Sequence, residues 1–194
     1  MCGRFSLDTD LDELFNRYRI KKNDLKFCSK DEIFPSEVVP VVTNNGENKL
    51  TLMKWGFSPS YSKSLLINAR SETVDSKPTF KYSFLNRRCI IPATSYYEWE
   101  KVGAKKIKRR ISPKGIDIFS IAGLYSSFED DAGRKFEAFT ILTTDAHENI
   151  KRIHERMPVI LSIENEEIWL DNTYKDISRL KGMFKAFDGD YIVE

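Results

Sequence analysis

Residues 88–124 read RCIIPATSYYEWEKVGAKKIKRRISPKGIDIFSIAGL, a stretch in which short β-branched and aromatic runs alternate with turn signals. The turn signals are Gly103 and the Pro-Lys-Gly sequence at 113–115, because glycine adopts the positive φ of tight turns and proline presets φ. The runs predict four strands, at residues 88–93, 96–102, 107–112 and 116–124. Strands joined by such short turns pair antiparallel, so this stretch predicts a curved antiparallel sheet.

The same pattern continues outside this stretch. Further strands are predicted at residues 38–43, 50–55, 136–143 and 159–161. Apolar residues at helical spacing predict a short amphipathic helix at 8–19, and helical composition recurs at 145–152, 165–170 and 176–184. We therefore predict one α+β domain over residues 1–194, with a curved, mostly antiparallel, β-barrel-like core, short flanking helices and a helical closure at 162–194.

Length and composition limit the class of protein. A chain of 194 residues with 41% hydrophobic content is long enough for one substantial core and short for two. No apolar run approaches the roughly 20 residues of a membrane span, and the start lacks a signal-peptide pattern. Three cysteines, Cys2, Cys28 and Cys89, are too few and too unevenly spaced for a disulfide framework. These features predict a cytoplasmic protein without a membrane partner.

Charge is distributed unevenly although the formal net charge is only +2. Seven basic residues between positions 101 and 114 occur without an acid among them, and the segment after Glu164 is rich in acids. This asymmetry is typical of a basic face. A hairpin with solvated charges and a surface for a polyanion are both compatible with it.

Cys2 follows the initiator methionine directly, so removal of Met1 produces a free N-terminal cysteine. Such a residue carries an amine and a thiol on adjacent carbons, and the pKa values of both groups lie close enough to neutrality for nucleophilic chemistry. The pair can attack an aldehyde twice and close a five-membered thiazolidine ring, which no internal cysteine can do. The position of Cys2 alone is also compatible with a small residue that has no chemical role at a flexible terminus.

Three polar residues are candidates for the chemistry. Glu98 alternates with aromatic residues in a predicted strand, where a carboxylate is a candidate for a raised pKa and proton transfer. His154 precedes a predicted strand, where a loop can hold an imidazole towards a cleft. Asn68 lies near a predicted strand-to-helix transition. Each has a structural alternative: a surface strand residue, a hydrogen-bonded core histidine and a helix cap.

Metal binding is not indicated by the sequence. The two histidines, His147 and His154, do not form HExxH or another spacing of metal ligands. His147 lies at a predicted helix start and is interpreted as a capping or solvated residue. We predict no metal and no cofactor.

Seven motifs in order resemble one family, the SRAP family of SOS response-associated peptidases. They are Met1-Cys-Gly-Arg-Phe, Trp55-Gly-Phe, Asn68-Ala-Arg-Ser-Glu, Arg88-Cys-Ile-Ile-Pro, Tyr97-Glu-Trp, Thr143-Thr and His154-Glu-Arg-Met-Pro. The resemblance spans residues 2–161. It implies a single α+β domain that recognises abasic sites in single-stranded DNA and bonds to them covalently. The family name records a proposed autopeptidase activity, which would remove residues that precede Cys2.

The resemblance and the chemistry together assign roles to nine residues. Cys2 is the nucleophile, Glu98 moves the proton of its amine, His154 protonates the sugar oxygen during ring opening, and Asn68 fixes the sugar or the amine. The residues predicted to contact DNA are Arg4, Arg70 and Arg156 through phosphates and Trp55 and Trp99 through stacking or wedging. Core packing is the alternative for Trp55. We expect a monomeric, lyase-like or hydrolase-like DNA damage protein that associates with the nucleoid when engaged.

Two other classes remain open from the sequence. An N-terminal nucleophile amidohydrolase also exposes a Cys-Gly start, and its cysteine attacks an amide. The downstream motifs and the basic run argue against it. A DNA-binding module without covalent chemistry is the other class, but it does not explain a cysteine at position 2.

Overall fold

The computed structural model of the protein describes residues 2–194, whose strands form two β-sheets; Met1, whose removal we predict, lies outside the described residues. Within this range the strands are β1 (Arg4–Leu7), β2 (Lys30–Ile33), β3 (Val38–Asn44), β4 (Asn48–Trp55), β5 (Asn68–Arg70), β6 (Arg88–Ala93), β7 (Ser95–Val102), β8 (Lys105–Pro113), β9 (Phe119–Glu129), β10 (Lys135–Asp145), β11 (Arg156–Pro158), β12 (Ile160–Leu161) and β13 (Tyr191–Val193). The helices are α1 (Leu11–Arg17), α2 (Pro78–Asn86), α3 (Glu148–Lys151), α4 (Ile163–Leu170) and α5 (Ile177–Gly182).

The smaller sheet is antiparallel, with the order β13-β8-β7-β1-β2. The larger sheet has the order β11-β10-β4-β3-β6-β9-β12, and β10 also pairs with β9, so the sheet returns on itself. Only β4 and β5 pair in parallel with β10. The result is a curved ring and not a closed barrel, because β3 and β6 meet at a single residue pair, Val42 and Ile90. The predicted fold class, a mostly antiparallel α+β domain, is confirmed.

Several elements differ from the sequence prediction. Helix α1 is shorter than residues 8–19, because the Asp10 side chain accepts a hydrogen bond from the Glu13 amide and caps the helix there. Helix α2, which has Pro78 in its first turn, and the short strands β1, β2, β5 and β11 were not predicted. The tail after residue 162 contains α4 and α5 but ends in β13, which adds an edge strand to β8. Strands of three or four residues are too short to show a periodic pattern.

Strand β9 lies between β6 and β10 and packs closely against both. Gly123 of β9 has no room for a side chain, because a Cβ there would lie 2.1 Å from Ile91 Cδ1 and 3.2 Å from Cys89 Sγ. Cys89 is buried and Cys28 is exposed, and both are free thiols. No helix within residues 2–194 combines the length and the apolar character that a membrane crossing requires.

Arg88 is fully buried and holds the ends of two helices. Its guanidinium donates to the carbonyl oxygens of Phe84 (2.9 Å), Trp169 (2.7 Å) and Tyr174 (3.1 Å), and also to that of Asp171. The acceptors at the end of α2 and after α4 are orphan carbonyls of helix C-termini. Burial lowers the pKa of Arg88 to about 10, which leaves it charged at neutral pH.

We expect Arg88→Ala to lower the free energy of unfolding by about 3–5 kcal/mol, because it leaves several buried carbonyls without donors. The measurement is urea unfolding followed by tryptophan fluorescence. The control is Arg87→Ala, which removes a neighbouring, half-exposed arginine with one 3.3 Å hydrogen bond to Ser127 and should cost well under about 1 kcal/mol. Equal costs for the two variants would contradict this role of Arg88.

Candidate active site

Cys2 lies at the junction of the two sheets. It lies two residues before the start of β1 in the smaller sheet, and Asn68 of β5 in the larger sheet donates from Nδ2 to its carbonyl oxygen at 2.9 Å. The Cys2 thiol is fully buried, and its Sγ lies 3.5 Å from the carbonyl oxygen of Arg4, to which it donates. The backbone of the second residue is therefore held in place by both sheets.

Glu98 enters the same region from β7. Because Arg4 pairs with Tyr97 between β1 and β7, Glu98 lies one residue beyond that pair, towards Cys2. Glu98 is 2% exposed, and this burial raises its pKa, although an electrostatic interaction with His154 opposes the rise. Burial and the charge of Glu98 likewise raise the pKa of the Cys2 thiol. In this environment the thiol, and not the thiolate, is the resting form.

His154 reaches this cluster from the loop between α3 and β11. Its Nδ1 accepts a hydrogen bond from the Arg156 amide at 2.9 Å, so the neutral ring carries its proton on Nε2. Nε2 is therefore the ring atom that can deliver a proton to a substrate. His147, by contrast, caps α3 by accepting a hydrogen bond from the Asn149 amide, which confirms its interpretation as a capping residue.

Arg156 fastens the loop that carries His154. Its guanidinium contacts the carboxylates of Glu72 and Asp145, each at 2.6 Å, and donates to the Thr143 carbonyl oxygen at 2.6 Å. These contacts join β11 to the end of β10 and to the turn after β5. Since the guanidinium is already held by two carboxylates, its contact with a phosphate stays a prediction.

Arg4 and Trp99 form an aromatic and cationic face beside Cys2. The Arg4 guanidinium lies 5.0 Å from the ring centroid of Trp99 and 4.4 Å from that of Phe34, and it forms an ion pair with Glu32 at 2.6 Å. The Arg4 side chain is 33% exposed and Trp99 is half-buried. Arg70, at the end of β5, is exposed and forms no ion pair with any residue from 2 to 194. Arg4, Arg70 and Trp99 thus remain accessible to a ligand.

Trp55 does not share this exposure. It is fully buried, stacks on Phe139 with 6.2 Å between ring centroids, and donates from Nε1 to the Ile67 carbonyl oxygen at 3.0 Å. The ring therefore faces the core of the larger sheet, as in the core-packing alternative, and the stacking of Trp55 on a base stays a prediction. The hydrogen bond to Ile67 fixes the residue that precedes Asn68, so Trp55 contributes to the position of Asn68 from within the core.

Two polar groups near the site gained no role from the sequence. The Tyr96 hydroxyl is buried without a hydrogen-bond partner among residues 2–194, and this burial raises its pKa. The Thr143 hydroxyl is also buried and unpartnered within this range. For Tyr96 the sequence did contain a signal, because the alternation in β7 places Tyr96 on the same face of the strand as Glu98.

The described residues hold no group of three or more histidine, cysteine, aspartate or glutamate side chains with the geometry of a metal site. The candidate site brings together a thiol, a carboxyl, an imidazole and an amide. This set can hold a nucleophile, move protons and orient a substrate.

Comparison with known proteins places these residues in a family. The chain is 35% identical over 203 residues to Abasic site processing protein YoqW of Bacillus subtilis, covering 98% of this chain and 89% of that protein. It is 32% identical to Abasic site processing protein YedK of Escherichia coli, covering 88% and 79%. A crystal structure of a Bacteroides thetaiotaomicron protein superposes with a TM-score of 0.88 at 29% identity, covering 99% and 90%. Because the sequence model of the SOS response associated peptidase (SRAP) family matches residues 1–193, the chain belongs to the SRAP family.

Proposed function

We propose that this protein processes abasic sites in single-stranded DNA by forming a covalent thiazolidine crosslink through Cys2, after Met1 has been removed. The observation that carries the proposal is the hydrogen bond from Asn68 to the Cys2 carbonyl oxygen, which fixes the second residue of the chain beside the buried carboxyl of Glu98. The names of the relatives YoqW and YedK support the substrate. Met1 is removed either by the protein's own peptidase activity or by an aminopeptidase.

The reaction joins one amine and one thiol to one aldehyde. The α-amine of Cys2 attacks C1′ of the ring-opened sugar, and the resulting carbinolamine loses water to form an imine. The thiol then adds to the imine carbon, its proton passes to the nitrogen, and a thiazolidine ring closes. The product is the sum of protein and DNA less one water. The ring lacks the imine from which β-elimination would cut the strand, so the abasic site is shielded.

The environment of Cys2 favours this order of steps. Because burial and Glu98 raise the pKa of the thiol, a thiolate is disfavoured as the first nucleophile. Glu98, whose own pKa is raised by burial, accepts a proton from the attacking amine and returns it to the departing hydroxyl. A carboxyl with a pKa closer to neutrality is suited to both transfers.

The other site residues act on the sugar. His154 delivers the proton on Nε2 to the sugar ring oxygen, which promotes opening to the aldehyde. Asn68 Oδ1 is buried and has no partner among residues 2–194, so it can accept a hydrogen bond from the amine of Cys2 or from a sugar hydroxyl. Arg4 and Arg70 bind phosphates and Trp99 offers a ring for a neighbouring base. A flexible single strand presents its sugar more readily than a stacked duplex.

The proposal is tested by intact-mass analysis. Protein lacking Met1 is mixed with a single-stranded oligonucleotide that carries one abasic site, and we expect an adduct at the summed mass less one water. Protein that retains Met1 has an acylated amine at Cys2 and should give no such adduct. An adduct formed at the same rate by both forms would overturn the proposed chemistry, whereas the amidohydrolase alternative predicts hydrolysis of a small amide and no adduct.

We expect Arg70→Gln to weaken noncovalent binding to single-stranded DNA through the loss of one phosphate contact. The log-log slope of affinity against salt should become shallower by about 0.7, the value for one neutralised phosphate on a single strand. Fluorescence anisotropy between low and high salt measures the slope. Lys49→Gln is the control, because Lys49 is an exposed cation on β4. An unchanged slope in Arg70→Gln would remove Arg70 from the phosphate contacts.

A further inference from the structure

The hairpin formed by β7 and β8 carries six of the seven basic residues between positions 101 and 114, and the seventh, Lys114, follows β8 directly. Every residue from 101 to 108 is exposed. The turn is closed by Gly103, whose φ of +60° suits glycine, and Val102 pairs with Lys105 across the strands. We call Lys101, Lys105 and Lys106 the hairpin tip.

The cations outside the hairpin tip have acidic partners. The pairs are Lys108 with Glu32 at 2.8 Å, Arg109 with Glu100 at 2.7 Å, Arg110 with Glu194 at 3.7 Å and Lys114 with Asp190 at 3.8 Å. No lysine of the hairpin tip forms an ion pair with a residue between 2 and 194. Lys101 also lies directly opposite Lys106. Like charges in directly opposed positions destabilise a sheet, and an anion between them would remove the repulsion.

The hairpin tip continues the face that carries Arg4 and Trp99. Alternate residues of a strand share a face, so Trp99 and Lys101 of β7 lie on one side together with their partners Lys108 and Lys106 of β8. Lys101 is two residues beyond Trp99, or about 7 Å along the strand. Along the strand, in the direction away from Cys2, the Trp99 ring is thus followed by two lysines without acidic partners, Lys101 and Lys106.

We propose that the hairpin tip binds phosphates of the DNA strand that flanks the abasic nucleotide. The inference rests on the proposed function, which places the damaged nucleotide at Cys2. A single strand is the occupant that fits both parts of this face, since its bases can stack on Trp99 while its phosphates meet the lysines. An acidic protein or an anionic lipid surface would bind the lysines but would supply no base to stack on the Trp99 ring.

The test is the double variant Lys101→Gln with Lys106→Gln, measured by fluorescence anisotropy on an undamaged single-stranded 15-mer. Its matched control is Lys49→Gln with Lys135→Gln, which removes two exposed lysines from the larger sheet. We expect the hairpin variant to bind about 25-fold more weakly at 0.1 M salt, with a log-log slope shallower by about 1.4 and affinities that converge near 1 M. The control should bind as the parent does.

Oligonucleotide length locates the contact. On a trimer with a central abasic site the hairpin variant should crosslink at the parent rate, because its flanks are too short to reach the hairpin tip. The inference would be overturned if the affinity of the hairpin variant had the same salt dependence as that of the parent. It would also be overturned if the variant lost as much in crosslinking to the trimer as it lost in affinity for the 15-mer. A loss of binding to anionic lipid vesicles with unchanged affinity for the 15-mer would also overturn it. A third outcome separates the two proposals. If the parent forms no adduct but the hairpin variant still binds the 15-mer more weakly as expected, the crosslinking proposal fails and DNA binding by the hairpin tip is supported.

Discussion

Cys2→Ala is expected to abolish the heat-stable adduct with an abasic oligonucleotide and to leave noncovalent affinity for single-stranded DNA near the parent value. The thiol is the only group that can close the ring, whereas phosphate contacts supply most of the affinity. Alanine retains the α-amine, so the variant still forms a reversible imine. Denaturing electrophoresis should show no adduct without a reductant and an adduct when borohydride traps the imine.

This variant should also cut the strand. An imine that cannot close to a thiazolidine remains open to β-elimination at the abasic site, so cleaved oligonucleotide should accumulate with Cys2→Ala and not with the parent. Cys28→Ala is the matched control, because Cys28 is an exposed free thiol remote in sequence from the site. Intact mass must first verify that Met1 is absent from each protein. A heat-stable adduct with Cys2→Ala in the absence of borohydride would disprove thiazolidine formation.

Glu98→Gln and His154→Ala should both slow crosslinking at an abasic site, by about 10² to 10⁴ each, the usual contribution of one positioned acid or base. Glutamine preserves the shape of Glu98 but cannot move the proton of the amine. Alanine at position 154 removes the proton donor for opening of the sugar ring. Single-turnover rates at saturating protein measure both effects without interference from binding.

An oligonucleotide in which a linear aldehyde replaces the sugar separates the two roles. This substrate needs no ring opening, so the His154→Ala defect should largely disappear while the Glu98→Gln defect persists. The His147→Ala variant is the control for loss of an imidazole, since His147 caps α3. Equal defects of His154→Ala and Glu98→Gln on the linear aldehyde would show that His154 acts on a different proton.

The same experiment has a pH signature. Because burial raises the pKa of Glu98, the parent should lose activity on acidification at a higher pH than an exposed glutamate would allow. The rate should rise as Glu98 deprotonates, and this limb should be missing in Glu98→Gln. If the rate of Glu98→Gln still rose with pH in the same range, the titrating group would be a residue other than Glu98.

Precision at this site depends on contacts that hold Cys2 and the His154 loop in place. Asn68 holds Cys2 across the junction, and Arg156 joins the His154 loop to Glu72 and Asp145. Neither contact involves a group that would itself react. We therefore interpret Arg156 as a positioning residue, through which the fold sets the distance between the imidazole and the nucleophile.

The sequence by itself determined the antiparallel β-rich class and singled out Cys2 as the candidate nucleophile. The alternating pattern and the glycine and proline turns of residues 88–124 are local signals, and the structure confirms strands there with bounds shifted by up to five residues. The position of Cys2 next to Met1 is likewise a property of the chain alone. Both inferences need only neighbouring residues.

Tertiary structure alone decided how distant residues meet. The short strand β5 has no periodic pattern, and it exists because Asn68–Arg70 pair with the middle of β10. That pairing brings Asn68 to Cys2, 66 residues away in sequence. Trp55 could have faced solvent or core by its motif, and packing against Phe139 placed it in the core. Burial and charge pairing are sums over the whole fold, so the raised pKa of Glu98 and the unpaired lysines of the hairpin tip appear only once the chain has closed on itself.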